Sequence, residues 1–402
     1  MRVAMFTDND FDRVNGVTTT LRAVARHAPH PWAPRIYTAA DTAVDLPDYF
    51  SASSVGIGLP WCGDMRIYWP RIRRFARELH RDGVSVIHIT TPGPVGLVAR
   101  WLGLHMRLPM IGSYHAHLGE YVEGLSGARR LGRMMNEYMR WFYGPCRSLL
   151  VPSRATAQML TEAGYRPDRL RLWPRGVESA QFTPDRASAT LRRRWGVDDG
   201  RPAILYAGRL SAEKGLALVA PLQRVLHRHG IKHRFVFVGD GPMARSLRND
   251  CPDAIFLGNL VHDNVAVAMA SADVFLFPSA TDAFGNVVLE SQACGIPALV
   301  SDRGGPSEHV THGVTGYVCR AGSVDEFGSR LVELLRSPRR RRAMGTLARA
   351  AAELRSWPIA LRPLCEAWRF AMHQDIGPQP ADPCAGRPRA AIDAADLQDV
   401  AS

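Results

Sequence analysis

At 402 residues the chain is too long for one compact core and implies two domains of roughly 150–200 residues. Hydrophobic content of 46% and charged content of 22% are those of a globular protein, and no apolar run approaches the ~18 residues of a spanning helix. A formal charge of +12 calls for an anionic partner, which nucleotide, phosphorylated substrate or membrane surface would satisfy, whereas the absence of zinc-finger spacing, RNP-like motifs and a basic arm interleaved with aromatics argues against nucleic acid.

In chain order, MRVAMFTDND opens with a strand pattern followed by acids, unlike a signal peptide, so a cytosolic location is expected. Strands are predicted over 3–7, 35–39, 84–90, 110–115, 148–153 and 169–174, with helices over 17–28, 68–82, 94–103, 128–145 and 154–163 between them. The polar, turn-rich stretch PRGVESAQFTPD (174–185) separates this series from a second. There, strands are predicted over 203–208, 234–239, 254–258, 274–279, 298–302 and 316–319, and helices near 216–229, 243–249, 264–271, 286–294 and 325–336. Apolar strands each followed by a helix indicate α/β architecture with parallel sheets covered on both faces, in two doubly wound domains: 1–175 and 176–357. Helical patterns over 338–355 and 358–373 follow, the second kinked at Pro363, and the proline-rich remainder, 375–402, is expected to be disordered. Seven cysteines without CxxC or zinc-ligand spacing indicate reduced thiols and no metal site.

Ligands of open parallel sheets bind beyond the carboxyl ends of the strands, so the loops there carry the candidate chemistry. After the first strand, Asn15-Gly16 precedes a helix whose free amides favour an anion. After the fourth, SYHAH places His115 and His117 two residues apart, His115 as hydrogen-bond donor or acid/base and His117 as an acceptor-side or supporting group. Only two of the 50 basic residues are lysines, Lys214 and Lys232. Lys214 lies in GRLSAEKG after the first strand of the second domain. With Arg209 and a helix start, it suggests a phosphate or diphosphate site in which lysine supplies a compact point charge. GDGPMA (239–244) is formally G-x-G-x-x-A, but the following strand has no acid at its end, against a nicotinamide site. Asp282 and Glu290 are eight apart, with Phe284, Gly285 and Asn286 opening a helix between them, a pattern suited to polyhydroxyl recognition by ionised carboxylates.

Together VNGVTTTL, SYHAH, GRLSAEKG, GDGP, the acid-x7-Glu run ending in FGNVVLE, GIP and GGPSE resemble family 4 of the retaining glycosyltransferases, over residues 1–373. The wording is most similar to bacterial enzymes using GDP-mannose or UDP-sugars, often on lipid acceptors. The resemblance implies the GT-B fold: two Rossmann-like domains facing a cleft, with a C-terminal helix packing back on the first. It implies hexose transfer from a nucleotide-diphosphate sugar to an acceptor hydroxyl, with retention and no metal or other cofactor. Arg209 and Lys214 would hold the diphosphate and Glu290 the ribose. Phe284, Gly285 and Asn286 would meet sugar hydroxyls and the distal phosphate through backbone amides. Gly16 would close the site, and His115 would bond the sugar near its C6 hydroxyl. Asp282 stands where the family usually has glutamate, one methylene longer. Two architectural relatives compete: a nucleotide-sugar 2-epimerase, whose extra first-domain carboxylates are not found, and a phosphorylase, which needs a further lysine. A non-catalytic sugar-nucleotide sensor is a third alternative. The basic, aromatic segments 66–82 and 128–145 suggest peripheral contact with an anionic membrane and a carbohydrate or lipid acceptor.

Overall fold

The computed structural model describes residues 1–11, 15–40, 48–52, 56–59, 62–115, 117–198 and 200–373. The expected disordered tail, 375–402, lies outside them. The first domain is built on strands β1 (Arg2–Phe6), β2 (Ala33–Thr38), β3 (Tyr49–Ser51), β6 (Val86–Ile89), β7 (Met110–Ser113), β8 (Ser148–Val151) and β9 (Leu170–Leu172). They form one parallel sheet in the order β3-β2-β1-β6-β7-β8-β9. Between β3 and β6 the short strands β4 (Gly56–Leu59) and β5 (Cys62–Tyr68) pair antiparallel as a separate hairpin. The second domain carries β10 (Ala203–Ala207), β11 (Arg234–Val238), β12 (Ile255–Phe256), β13 (Val274–Phe277), β14 (Ala298–Ser301) and β15 (Gly316–Cys319). These are parallel in the order β12-β11-β10-β13-β14-β15. The central strands are buried along their whole length (β6, β7, β10, β13 and β14), as their continuous apolar runs require.

Each strand order reverses once, between β1 and β6 and between β10 and β13. At such a switch point the loops leaving the two neighbouring strands run apart and leave a crevice. The loops after β10 and β13 carry Lys214 and Asp282, and the loop after β1 carries Gly16.

One apolar core fills the second domain, and two flank the first sheet. The last helix, Arg362–Met372, completes one of these from the far end of the chain. Its Leu364, Trp368 and Ala371 are fully buried with Met5, Val86, Ile111 and Leu150. Burial of a large apolar side chain contributes about 1.5–3 kcal/mol, and here a polar pair adds register. Trp368 Nε1 donates to His88 Nδ1 (3.3 Å), and His88 Nε2 meets Ser113 Oγ (2.6 Å). An indole N–H only donates, so His88 carries its proton on Nε2 and donates to the serine.

Three predicted features differ. Instead of one helix over 358–373 kinked at Pro363, there is a short turn, Trp357–Ala360, and then the helix Arg362–Met372. Pro363 sits in its first turn, where its missing N–H costs no helical bond. The predicted helix 216–229 begins as two 3₁₀ turns, Ala212–Lys214 and Leu216–Leu218, with α-helix only from Val219 to Arg228. Lys214 therefore ends a tight turn and is not at an α-helical N-terminus. The helix Leu118–Ser126 was not predicted, because His117-Leu118-Gly119 offers no side-chain cap.

The crossing between domains is tied twice. Val177 N donates to Arg355 O (2.9 Å), and a Cβ on Gly176 would meet the Trp357 backbone at 2.7 Å. Glu308, from GGPSE in the second domain, accepts from the amides of Arg154 (3.1 Å) and Ala155 (2.8 Å), which open a first-domain helix, Arg154–Glu162. A carboxylate at a helix start is favoured by both amides and dipole.

Candidate active site

The loop after β10 is folded by its own hydrogen bonds. Tyr206 OH, at the end of β10, donates to Arg209 O (2.9 Å), and Lys214 N to Ser211 O (3.1 Å). Gly215 follows at φ +71, and a Cβ there would strike Pro278 O at 2.6 Å, so the turn packs directly against the chain leaving β13. Thr281 Oγ1 donates to Glu213 O (3.2 Å), joining the two loops again.

This junction delivers Lys214 to Asp282. The ammonium Nζ lies 2.8 Å from Asp282 Oδ1, both side chains 21% exposed. Asp282 Oδ2 is buried and has no hydrogen-bond partner among the described residues. A carboxylate is an acceptor only, so this oxygen awaits a donor such as a sugar hydroxyl. Lys214 thus holds one oxygen of this carboxylate and leaves the other for a ligand. Arg209 is exposed and has no ion pair among the described residues. It stands at the mouth of the same loop.

Beyond Asp282 the chain turns into the helix Asn286–Ala293 through Gly285, at φ +81 and ψ 60. Only glycine takes this left-handed conformation without cost, and a Cβ would lie 2.8 Å from Pro306 Cγ. The amides of Gly285 and Asn286 precede the first intrahelical bond and are available to an anion or hydroxyl. Phe284 anchors the turn: its ring is buried edge-on to His309 at 4.3 Å, and its carbonyl accepts from His309 Nε2 (2.8 Å). The side chain of Phe284 is therefore a core group, and only its amide remains for a ligand. Glu290, one turn along and 8% exposed, lies 3.4 Å from His262 Nε2. Burial works to lower the His262 pKa. The hydrogen bond and charge of Glu290 outweigh it and raise the imidazole above its ordinary value.

From the first domain, Gly16 opens the helix Gly16–His27 behind a capping box of Asn15 and Thr18. A Cβ on Gly16 would come within 3.7 Å of Asn286 Nδ2, so the two domains meet across the cleft at this glycine. His115 and His117 follow β7. His117 Nδ1 is buried without a hydrogen-bond partner among the described residues. Burial holds this imidazole below its usual value against the pull of Glu120 and of Asp282 across the cleft. His115 is held at Nδ1 by Arg175 NH2 (3.2 Å), and its Nε2 is buried without a partner. Burial, reinforced by the Arg175 charge, depresses the His115 pKa well below the ordinary range.

The structure thus joins Lys214 to Asp282, brings Gly16 to Asn286, and sets His117 to feel the charge of Asp282. Sequence reasoning missed His262 and Arg175. His262 is visible only as a histidine following a two-residue strand, and Arg175 only as a charged residue in a linker.

Comparison with known proteins supplies the rest. Residues 14–181 match the family model described as Glycosyltransferase Family 4, and residues 188–351 the one described as Glycosyl transferases group 1. The chain is 30% identical over 379 residues to a GDP-mannose-dependent alpha-mannosyltransferase of Mycolicibacterium smegmatis, spanning 89% of this chain and 94% of that one. A protein of the same description from Corynebacterium glutamicum is 29% identical over 335 residues, 79% of this chain and 76% of that one. The crystal structure of Anabaena Alr3699/HepE in complex with UDP and glucose has the same fold, with a TM-score of 0.73 at 18% identity over 91% of this chain and 99% of that one. The chain belongs to glycosyltransferase family 4 and is a glycosyltransferase of GT-B architecture.

Proposed function

We propose that this enzyme moves a hexose from a nucleotide-diphosphate sugar to an acceptor hydroxyl, with retention at the anomeric carbon and without a metal, and that GDP-mannose is the preferred donor. The observation that carries the reading is the Lys214–Asp282 pair at the switch point, with one buried carboxylate oxygen left unpaired. The names of the relatives favour GDP-mannose over other donors.

In this mechanism the donor diphosphate lies against the loop after β10. Arg209 and Lys214 stabilise the charge that grows on the leaving β-phosphate as the anomeric C–O bond breaks. Fixed cations cost no reorganisation at that moment, and this is the task a metal would otherwise perform. Asp282 Oδ2 accepts from a sugar hydroxyl, and the amides of Gly285 and Asn286 hold the sugar and distal phosphate. Glu290 accepts from the ribose hydroxyls, oriented by His262. The acceptor hydroxyl attacks the face the phosphate leaves, and its proton passes to the departing phosphate oxygen. His115 bonds the sugar near C6, His117 supports the acceptor side, and Gly16 closes the cleft from the first domain. The acceptor is inferred to be a lipid-borne glycan or polyol presented at an anionic membrane.

A thermal-shift screen against GDP-mannose, UDP-glucose, UDP-galactose, UDP-GlcNAc and ADP-glucose tests the donor assignment. The expected result is the largest rise in Tm with GDP-mannose. No shift with any nucleotide-sugar removes the reading.

A further inference from the structure

We infer that Arg175, carried on the crossing between the domains, is a positioning residue that locks His115 as a neutral imidazole protonated on Nε2, so that His115 serves as a hydrogen-bond donor and not as a general base. The inference deepens the reading above, in which His115 meets the donor sugar.

A guanidinium has five donors and no acceptor. Arg175 NH2 lies 3.2 Å from His115 Nδ1, so that nitrogen must accept and carries no proton. A neutral imidazole has one proton, which therefore sits on Nε2. Protonating both nitrogens would set an N–H against an N–H and a cation against a cation.

Arg175 is itself immobilised. It is 3% exposed, NH1 donates to Trp173 O at 2.7 Å, and its guanidinium carbon stands 3.9 Å over the Trp173 ring. No carboxylate pairs with it among the described residues. An arginine kept only as a structural ion pair would have such a partner. The cost of burying this unpaired cation instead secures one tautomer of one histidine. Burial draws the guanidinium down to about 9, which still leaves it charged at neutral pH. The titratable groups facing His115 are Arg175 and His88; the Arg175 charge opposes its protonation, and His88 would do so only if it were itself protonated. His88 is fixed in the same tautomer by Trp368.

His115 Nε2 is left as a buried N–H with no acceptor among the described residues. Such a group is costly while unpaired and is stabilised when an acceptor arrives. A sugar hydroxyl oxygen supplies one, and a hydroxyl proton in need of a base finds none here. Arg175 also neighbours Gly176, which packs closely on Trp357, and Val177, whose amide donates to Arg355 O. The tautomer lock thus sits on the crossing between the domains.

The test reads the tautomer directly. Long-range 1H–15N correlation spectra of histidine-labelled protein distinguish Nε2–H from Nδ1–H imidazoles, and His115→Gln identifies the signals of His115. The expected result is an Nε2–H tautomer unchanged from pH 6 to 8.5. In Arg175→Met, which cannot donate, the His115 signals are expected to move toward mixed tautomers. Turnover is expected to fall about 10- to 100-fold, in kcat more than in KM, with partial recovery in Arg175→Lys. A wild-type His115 protonated on Nδ1, or one titrating near 6.5, overturns the inference. So does a folded Arg175→Met protein with unaltered His115 signals. If Arg175→Met does not fold, the wild-type spectrum alone decides. The spectra need no substrate, so their failure is separate from failure of the donor assignment.

Discussion

Lysine at position 214 has a geometric cause. Its ammonium sits 2.8 Å from Asp282 at the end of a 3₁₀ turn whose next residue, Gly215, abuts Pro278. A planar guanidinium needs a fork-shaped space, whereas an ammonium fits as a point. The charge is poised between a carboxylate and the expected diphosphate, so losing it removes transition-state stabilisation without removing core packing. Lys214→Ala is expected to lower kcat about 10²- to 10³-fold, with circular dichroism and Tm close to wild type. A folded Lys214→Ala enzyme with near-normal turnover would sink the mechanism. The sequence marked Lys214 by the rarity of lysine and by its loop after the first strand of the second domain, and Asp282 by its spacing from Glu290; the structure sets these two side chains against each other. Arg175 was illegible, because its meaning depends on a histidine 60 positions away.

Most strands of the two parallel sheets were legible from continuous apolar runs and most helices from 3.6-residue periodicity, but the short edge strand β3 and the helices Leu118–Ser126 and Ala189–Trp195 were not. The β4–β5 hairpin was not, because Gly56-Ile57-Gly58-Leu59 lacks the bulk and alternation that mark a strand. The basic amphipathic helices were read from sequence and lie at Ile72–Asp82 and Arg129–Tyr143. The second exposes Leu131, Met134 and Trp141 among Arg129, Arg130 and Arg133. Arg100 of the neighbouring helix Pro94–His105 stacks on Trp141 at 4.1 Å, and Leu97, Trp101 and Leu104 extend the apolar surface. Aromatics and arginines on one surface are suited to the headgroup region of an anionic bilayer. No helix among the described residues is long and apolar enough to cross a membrane. Flotation with phosphatidylserine-containing liposomes is expected to show binding that weakens with salt. Equal recovery with neutral and anionic vesicles would count against this surface.

Among the described residues, burial holds the imidazoles of His88, His115, His309, His117 and His233 below their ordinary value, the first three most deeply buried. Burial, then the Arg175 charge, draws His88 down to about 3, and burial, then Arg355, does the same for His309. His115 is lowered by burial and Arg175. Each folded-state pKa lies below the unfolded value of about 6.5, so below pH 6.5 the unfolded chain binds protons that the fold refuses. Stability is therefore complete above pH 6.5 and declines as pH falls, by about 2 kcal/mol at pH 5 for each of His88 and His309, with His115 acting in the same direction. Asp8, raised by burial, and His262, raised by Glu290, carry the opposite sign and offset part of the loss. Tm is expected to fall from pH 7 to pH 5. A flat or rising profile would show that these rings are not buried neutral.

The most direct measurement is transfer itself. The purified enzyme is incubated with GDP-mannose and an alkyl α-mannoside as acceptor, and the product is followed by proton NMR at the anomeric position. The expected result is release of GDP and an α-linked product without added metal, with both slowed about 10²- to 10³-fold in Lys214→Ala. A β-linked product, or no transfer from any nucleotide-sugar by the folded enzyme, would contradict it.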